Sequence, residues 1–274
     1  MLLKVSEYKH GLTTFKSMAL HIVLGIGLCI IGEVKFVILL SPIFLAWVWL
    51  SPSYVKDVSK VNLKTLLVIV AGMLLLISLS IVILAYYYST AFGGDPSKSS
   101  LSIFIDSLSY IFDPNYIMST GELGRFTTFL FWLKNNDLWG LSGTLFGYGL
   151  NATNSGSTVS PGFLNIIYNL ILDSTSLSML LWEVGAIGTL LFVSLFIYIL
   201  KVCQPKPLLR LEQLDQQDLQ LLIFAPAFNA FAISCLISLP YSQILMITPM
   251  LQFLFYLSLG SSLVIRRTVL LCVG

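Results

Sequence analysis

Few side chains in this chain have the chemistry for catalysis or ligand binding. Arg125 lies in the segment GELGRFTTFLFWLKNN, Gly121–Asn136. An arginine stays charged and its planar fork matches phosphate oxygens, so Arg125 is a candidate to hold a diphosphate. The plainer role is a pair with Glu122 at i−3, or a guanidinium that reaches lipid headgroups. Lys35, in the short turn Gly32–Lys35 (GEVK), offers a second cation for the same anion, or an interfacial lysine beside Glu33. Glu183 lies inside an apolar run, where an ionisable group is costly and points to function; it is a candidate base or cation holder. Asp173 is a second carboxylate that could activate a hydroxyl. Lys134 and Tyr148 are further candidates for substrate binding.

Metal and nucleotide chemistry have no such support. Cys29, Cys203, Cys235 and Cys272 are not spaced as ligands, and His10 and His21 form no cluster with them. The cysteines read as small hydrophobes in apolar runs. Walker, GxSxG, HExxH and CxxC patterns are missing, so no metal or cofactor is expected.

The elements that position these residues follow from composition. Of the 274 residues 57% are hydrophobic and 10% charged, against about 45–50% and about 25% in soluble domains. Mean hydropathy is +0.89. These values exclude a secreted globular enzyme, a disordered tail and a nucleic-acid binder, and a net charge of +2 is too small to imply an acidic partner. Six apolar runs are near the length a bilayer requires: Lys16–Ile31, Val34–Leu50, Leu66–Thr90, Ser176–Leu200, Leu219–Leu239 and Ile244–Ile265. The first is not a cleaved signal, because no small-residue cleavage site follows it. The expected fold is therefore all-α: a polytopic transmembrane helix bundle of about six spans. It divides into three spans over 1–90, a large external loop over 91–175, and three spans with a cytoplasmic tail over 176–274.

Charge sets the orientation. Lys4, Lys9 and Lys16, then Lys56, Lys60 and Lys64, then Lys201, Lys206 and Arg210, and finally Arg266 and Arg267 fall on alternate sides of the runs. The positive-inside rule makes that side cytoplasmic, with both termini inside. The loop over 91–175 then faces outward, and its acids outnumber its bases. A loop of that length is commonly functional. Within it Leu123, Phe126, Phe129, Leu130 and Leu133 recur at helical period, which predicts a short amphipathic helix at the interface with its apolar face down. Trp132 and Trp139 suit interfacial anchoring. The glycines of Leu138–Gly149 (LWGLSGTLFGYG) permit tight turns and close backbone approach to a ligand. Gly185 and Gly188 suit close helix packing, and Pro226, Asn229, Pro240 and Pro249 suggest kinks or a polar pocket. Asn151-Ala-Thr153 is formally a glycosylation sequon, relevant only in a secretory-pathway context.

Taken in order, these segments resemble the bacterial O-antigen polymerase and O-antigen ligase superfamily of multi-spanning glycosyltransferases. The likeness rests on an arginine followed by aromatics including Trp132, then the Gly147-Tyr148-Gly149 turn, then the helix of Leu172–Phe192. That helix carries Glu183-Val-Gly185-Ala-Ile-Gly188, which matches the family's E-x-G-x-x-G pattern. It extends more weakly to Gly32–Leu40, where Lys35 stands in the place of a periplasmic arginine. Family members span the membrane more often than this chain, which looks like their C-terminal half. Family ligases carry a histidine just before the E-x-G-x-x-G helix; here Asp173-Ser174-Thr175 stands there, which favours a polymerase-like reading.

The resemblance implies a metal-independent glycosyltransferase of the bacterial inner membrane acting on polyprenyl-diphosphate-linked glycan. Arg125, with Lys35, would hold the diphosphate; Asp173 or Glu183 would serve as base. Membrane lipid is an expected partner, as is a chain-length regulator or flippase; nucleic acid is not. The alternatives are ligase-type glycan transfer, a small-solute or lipid transporter subunit, and an inactive truncated member of the family.

Overall fold

A computed structural model describes residues 1–31, 35–52, 63–91, 102, 109–156, 160–204 and 216–273. The described residues are helical and hold no β-strand; extended pairing is confined to isolated bridges, Ile117 with Leu123 and Glu122 with Ile171. In chain order the helices are α1 (Leu2–Lys9), α2 (Phe15–Ile31), α3 (Lys35–Leu50) and α4 (Leu63–Ala91). Short helices follow: α5 (Ser109–Phe112), α6 (Arg125–Asn135), α7 (Leu141–Phe146), α8 (Phe163–Tyr168) and α9 (Ser176–Glu183). The chain ends with α10 (Gly185–Val202), α11 (Gln216–Ile237), α12 (Ile244–Ile247) and α13 (Pro249–Val273). Within the described residues the six apolar runs are largely helical. Two stretches, Gly185–Val202 and Leu219–Ile237, are long and apolar enough to cross a membrane. Shorter apolar stretches of helix are Phe15–Cys29, Leu40–Leu50 and Val70–Ile83. Of the charges used for orientation, Lys56, Lys60, Lys206 and Arg210 lie outside the described residues.

The chain forms two compact units. The first takes Met1–Gly94, Ile199–Ser234 and Leu254–Gly274. Its core is Val5, Met18, Ile22, Ile26, Phe44, Leu45, Val48 and Trp49 with Ala227 and Ala230. The polar helix α1 belongs to this core, although no apolar run announces it. It ends in a Schellman motif, with Leu12 N bonded to Glu7 O at 2.9 Å, Gly11 N to Tyr8 O at 3.0 Å, and Gly11 at φ +79°. Lys9 is fully buried. Its ammonium donates to the carbonyls of Val48 (3.4 Å), Ser51 and Pro52 (3.4 Å) and to Ser51 Oγ (3.2 Å). It thereby satisfies the carbonyl end of α3, where a cation also suits the helix dipole. Ser6 Oγ donates to the Ile223 carbonyl. Pro226 lies inside α11, and Asn229 one turn later donates to Cys203 O (2.8 Å) and accepts from Ser262 Oγ (3.0 Å). The predicted polar pocket is thus a saturated set of helix-to-helix bonds. Pro249 opens α13, a position where its missing N–H costs nothing.

The second unit takes Asp95–Tyr198 and Cys235–Phe253. It therefore joins the long loop to α9, most of α10, the end of α11, α12 and the start of α13. Its core is Leu123, Trp132, Tyr148, Ala152, Leu164, Leu172, Leu181 and Trp182. Aromatic rings tie it together: Phe131 and Tyr168 meet edge to face at 5.1 Å, and Trp182 lies 5.6 Å from Tyr148 and 5.7 Å from Tyr168. Each such pair contributes about 0.5–1.5 kcal/mol beyond its buried area.

Two expected elements divide: Ile244–Ile265 is α12 and α13, parted at Thr248. The run Ser176–Leu200 is two helices, α9 and α10, broken where Gly185 adopts φ +72°. Thr175 caps α9, its Oγ1 accepting from Ser178 N at 3.0 Å. The amphipathic helix is present as α6, and its sides are informative. Thr127, Thr128 and Trp132 are buried, whereas Phe126, Phe129 and Leu133 are exposed. Trp132 is therefore a core residue and not an anchor, and its Nε1 donates to Leu181 O at 3.2 Å. Trp139 remains 56% exposed, stacked on Phe163 at 5.6 Å.

Candidate functional site

The second unit builds one polar site around the residues that lead into α9. Arg125 is the first residue of α6. Its Nη1 donates to the Ser174 carbonyl and lies 3.4 Å from Glu122 Oε1. Its side chain is 21% exposed, so the guanidinium is held by the fold while an edge remains accessible. The i−3 pair with Glu122 is real, but it accounts for only part of the arginine's bonding. A bond to the peptide oxygen next to Asp173 is what joins α6 to the candidate carboxylate.

Asp173 is 5% exposed. Its Oδ2 accepts from Ser155 N at 3.1 Å and Ser155 Oγ at 2.6 Å. Its Oδ1 is buried and has no hydrogen-bond partner among the described residues, and the same holds for Ser174 Oγ. A buried acceptor left without a donor costs about 1–3 kcal/mol, a cost commonly found where a ligand completes the site. The segment is otherwise fully tied down. Ser176 Oγ donates to Ser242 O (2.7 Å), Ser178 Oγ donates to Leu172 O (2.6 Å), and Ser178 Oγ lies 3.1 Å from Thr128 Oγ1.

Glu183 is the last residue of α9 and is half-buried. Its Oε1 accepts from Thr153 Oγ1 (2.9 Å) and Thr153 N (3.4 Å). Its carbonyl accepts from Gly149 N at 3.0 Å, and the Trp182 carbonyl accepts from Tyr148 N at 2.8 Å. The LFGYG turn therefore serves as the missing cap of α9, supplying N–H groups to carbonyls that the helix break leaves open. Gly147 has φ +78°, and a Cβ there would come within 2.5 Å of the Glu183 carbonyl. Gly147 thus serves backbone packing within the protein.

The remaining sequence candidates separate. Tyr148 is 5% exposed, and its hydroxyl donates to Asn136 O at 2.6 Å. It is a core residue whose donor is already used, and burial pushes its phenol above the usual range. Tyr168 behaves alike, donating to Asn135 O at 3.0 Å, with burial raising its phenol. Lys134 sits in the last turn of α6 and is exposed. Lys35 opens α3, in the first unit, and its side chain lies outside the described residues. Thr153 is fully buried and bonded to Glu183, so the Asn151 sequon serves the fold. Among the described residues no cluster of His, Cys, Asp or Glu could hold a metal ion.

Sequence reasoning passed over Ser155, Thr153 and Asn165. Asn165 Nδ2 donates to Thr153 O (2.8 Å) while its Oδ1 accepts from Leu172 N (3.2 Å), tying the two polar strings of the site together. Their signal was faint: a polar stretch, Asn151–Ser160, set in an apolar chain. No family model, curated protein or solved structure matches this chain.

Proposed function

We propose that the chain is a polysaccharide polymerase-like glycosyltransferase working at the outer face of a bacterial plasma membrane on a polyprenyl-diphosphate-linked oligosaccharide. The observation that carries this reading is the half-buried Arg125, bonded to the peptide of Ser174 beside the buried Asp173, one of whose carboxylate oxygens has no partner among the described residues. An always-charged fork next to a carboxylate is the pair that transfer from a diphosphate leaving group requires. The cation offsets the charge that develops on the leaving diphosphate, and the carboxylate takes the acceptor's proton.

Exposed apolar surface supports a lipid setting. Leu190, Leu191, Leu195, Ile197 and Tyr198 of α10 are all exposed, a patch that soluble monomers rarely carry. The outward face of α6, Phe126, Phe129 and Leu133, suits an interfacial helix whose polar side turns into the loop unit. The test is Arg125→Ala in the bacterium that carries the chain, with surface glycan resolved by length on a gel. Loss of long-chain glycan at unchanged protein level is expected. A wild-type length distribution with stably expressed variant would refute the role of Arg125.

A further inference from the structure

Asp173 and Glu183 of the second unit were both open as the base, and their burial separates them. We infer that Asp173 takes the proton of the acceptor hydroxyl, that Ser155 is its positioning residue, and that the acceptor terminus is an uncharged sugar. This rests on the glycosyltransferase reading above and specifies the acceptor for the same site.

Asp173 combines burial with an unused acceptor. Ser155 occupies Oδ2 from two directions, through N–H and hydroxyl, which fixes the plane of the carboxylate. Oδ1 is left buried and, among the described residues, without a donor, so a hydroxyl arriving there gains a hydrogen bond. Ser174 Oγ, next along the chain, is also buried and has no partner among the described residues. A sugar hydroxyl, donor and acceptor at once, is the ligand chemistry that suits an acceptor and a hydroxyl left in this state. Glu183 shows the same bonding pattern, with Thr153 engaging its Oε1 through hydroxyl and backbone, and differs in being half-buried at the end of a helix. Its bond to Thr153 ties the 149–153 turn to the end of α9.

Charge defines the sugar. Among the described residues Asp173 is bonded by Ser155 alone and forms no ion pair. A uronic acid brought to Oδ1 would set carboxylate against carboxylate, and like charges in contact are strongly disfavoured. A neutral hexose avoids that cost. In the step itself the acceptor O–H proton passes to Asp173 Oδ1 as the acceptor oxygen bonds to the donor's anomeric carbon. The bond from that carbon to the phosphate oxygen breaks, and its electron pair leaves with the polyprenyl diphosphate, whose charge Arg125 offsets.

The experiment uses the full chain in proteoliposomes with synthetic polyprenyl-diphosphate oligosaccharides ending in a neutral hexose or in the matching hexuronic acid. Asp173→Asn should lower kcat by about 10²-fold or more, the usual contribution of a general base, with KM for the lipid-linked donor within about twofold. Ser155→Ala should lower kcat by roughly tenfold, and Ser155→Thr, which keeps the hydroxyl, should recover most of it. This serine pair carries the test if Asp173→Asn fails to fold. The hexuronic terminus should be elongated about tenfold or more slowly. Full activity of Asp173→Asn, equal loss in both Ser155 variants, or equal use of the two termini overturns the inference while leaving the glycosyltransferase reading intact. A wild-type chain that elongates neither substrate overturns both.

Discussion

Gly147 and Gly185 lie backbone against backbone, each at positive φ (+78° and +72°). A Cβ on Gly185 would overlap Gly147 N and Leu145 O, and one on Gly147 would strike the Glu183 carbonyl at 2.5 Å. This contact joins the LFGYG turn to the break between α9 and α10, beside Glu183. The obstructing atoms are backbone, which cannot rotate away.

Gly147→Ala and Gly185→Ala should each destabilise the protein by about 2–4 kcal/mol, the strained φ and the overlap acting together. Because both substitutions disrupt one contact, the double variant should lose clearly less than the sum. Thermal unfolding in detergent measures all three. A loss under about 0.5 kcal/mol in either single variant would show that the turn does not depend on this approach.

Thr153 and Glu183 should behave as a coupled pair. Thr153→Val removes a buried hydroxyl bonded to the carboxylate at 2.9 Å, and Glu183→Gln removes the charge that strengthens that bond. A double-mutant cycle should return a coupling energy of about 1–2 kcal/mol, discounted because Glu183 is half-buried. Additive losses would mean that the hydrogen bond contributes nothing to joining the loop to α9.

Lys9 carries a pH signature. Burial lowers its ammonium from 10.5 to about 8. An unfolded chain keeps that proton until about pH 10.5, so between pH 8 and 10.5 the unfolded state binds more protons and stability rises with pH. Below pH 8 both states are charged and the folded state bears the full desolvation. The rise is bounded by about 3 kcal/mol. His10, pushed below 6.5 by burial, titrates outside that window. Unfolding midpoints of the wild type and of Lys9→Met, compared from pH 7.5 to 10, isolate the effect: the wild type should gain stability relative to the variant. Parallel curves would contradict the buried ammonium.

What the amino-acid sequence made legible follows from what periodicity can carry. Within the described residues the apolar runs are largely helical, as expected where a long stretch of Leu, Ile and Val meets its backbone hydrogen bonds inside one segment. The interruption at Gly185 was invisible to hydropathy, because a positive φ leaves no mark on an apolar count. Helix α1 was hidden because its stability comes from tertiary burial of Ser6 and Lys9 and not from an apolar stripe. In α6 the period gave the stripe of Phe126, Phe129 and Leu133 correctly, but period does not say which face meets protein. Here the threonines and Trp132 turn inward. Of the site, Arg125, Asp173 and Glu183 were legible as charges in an apolar chain. Ser155 and Thr153 were not, since a serine or threonine gains its role only from what the fold brings to it.

The central claim is that Arg125 and Asp173 form a site for transfer from a lipid diphosphate. Its most direct measurement is release of polyprenyl diphosphate by the purified chain in proteoliposomes supplied with a polyprenyl-diphosphate oligosaccharide. The account predicts one diphosphate released per glycosidic bond formed, and a fall of about 10²-fold or more in Arg125→Ala and Arg125→Lys alike, since lysine lacks the fork. Release at the wild-type rate by both variants, or glycan extension without diphosphate release, would contradict it.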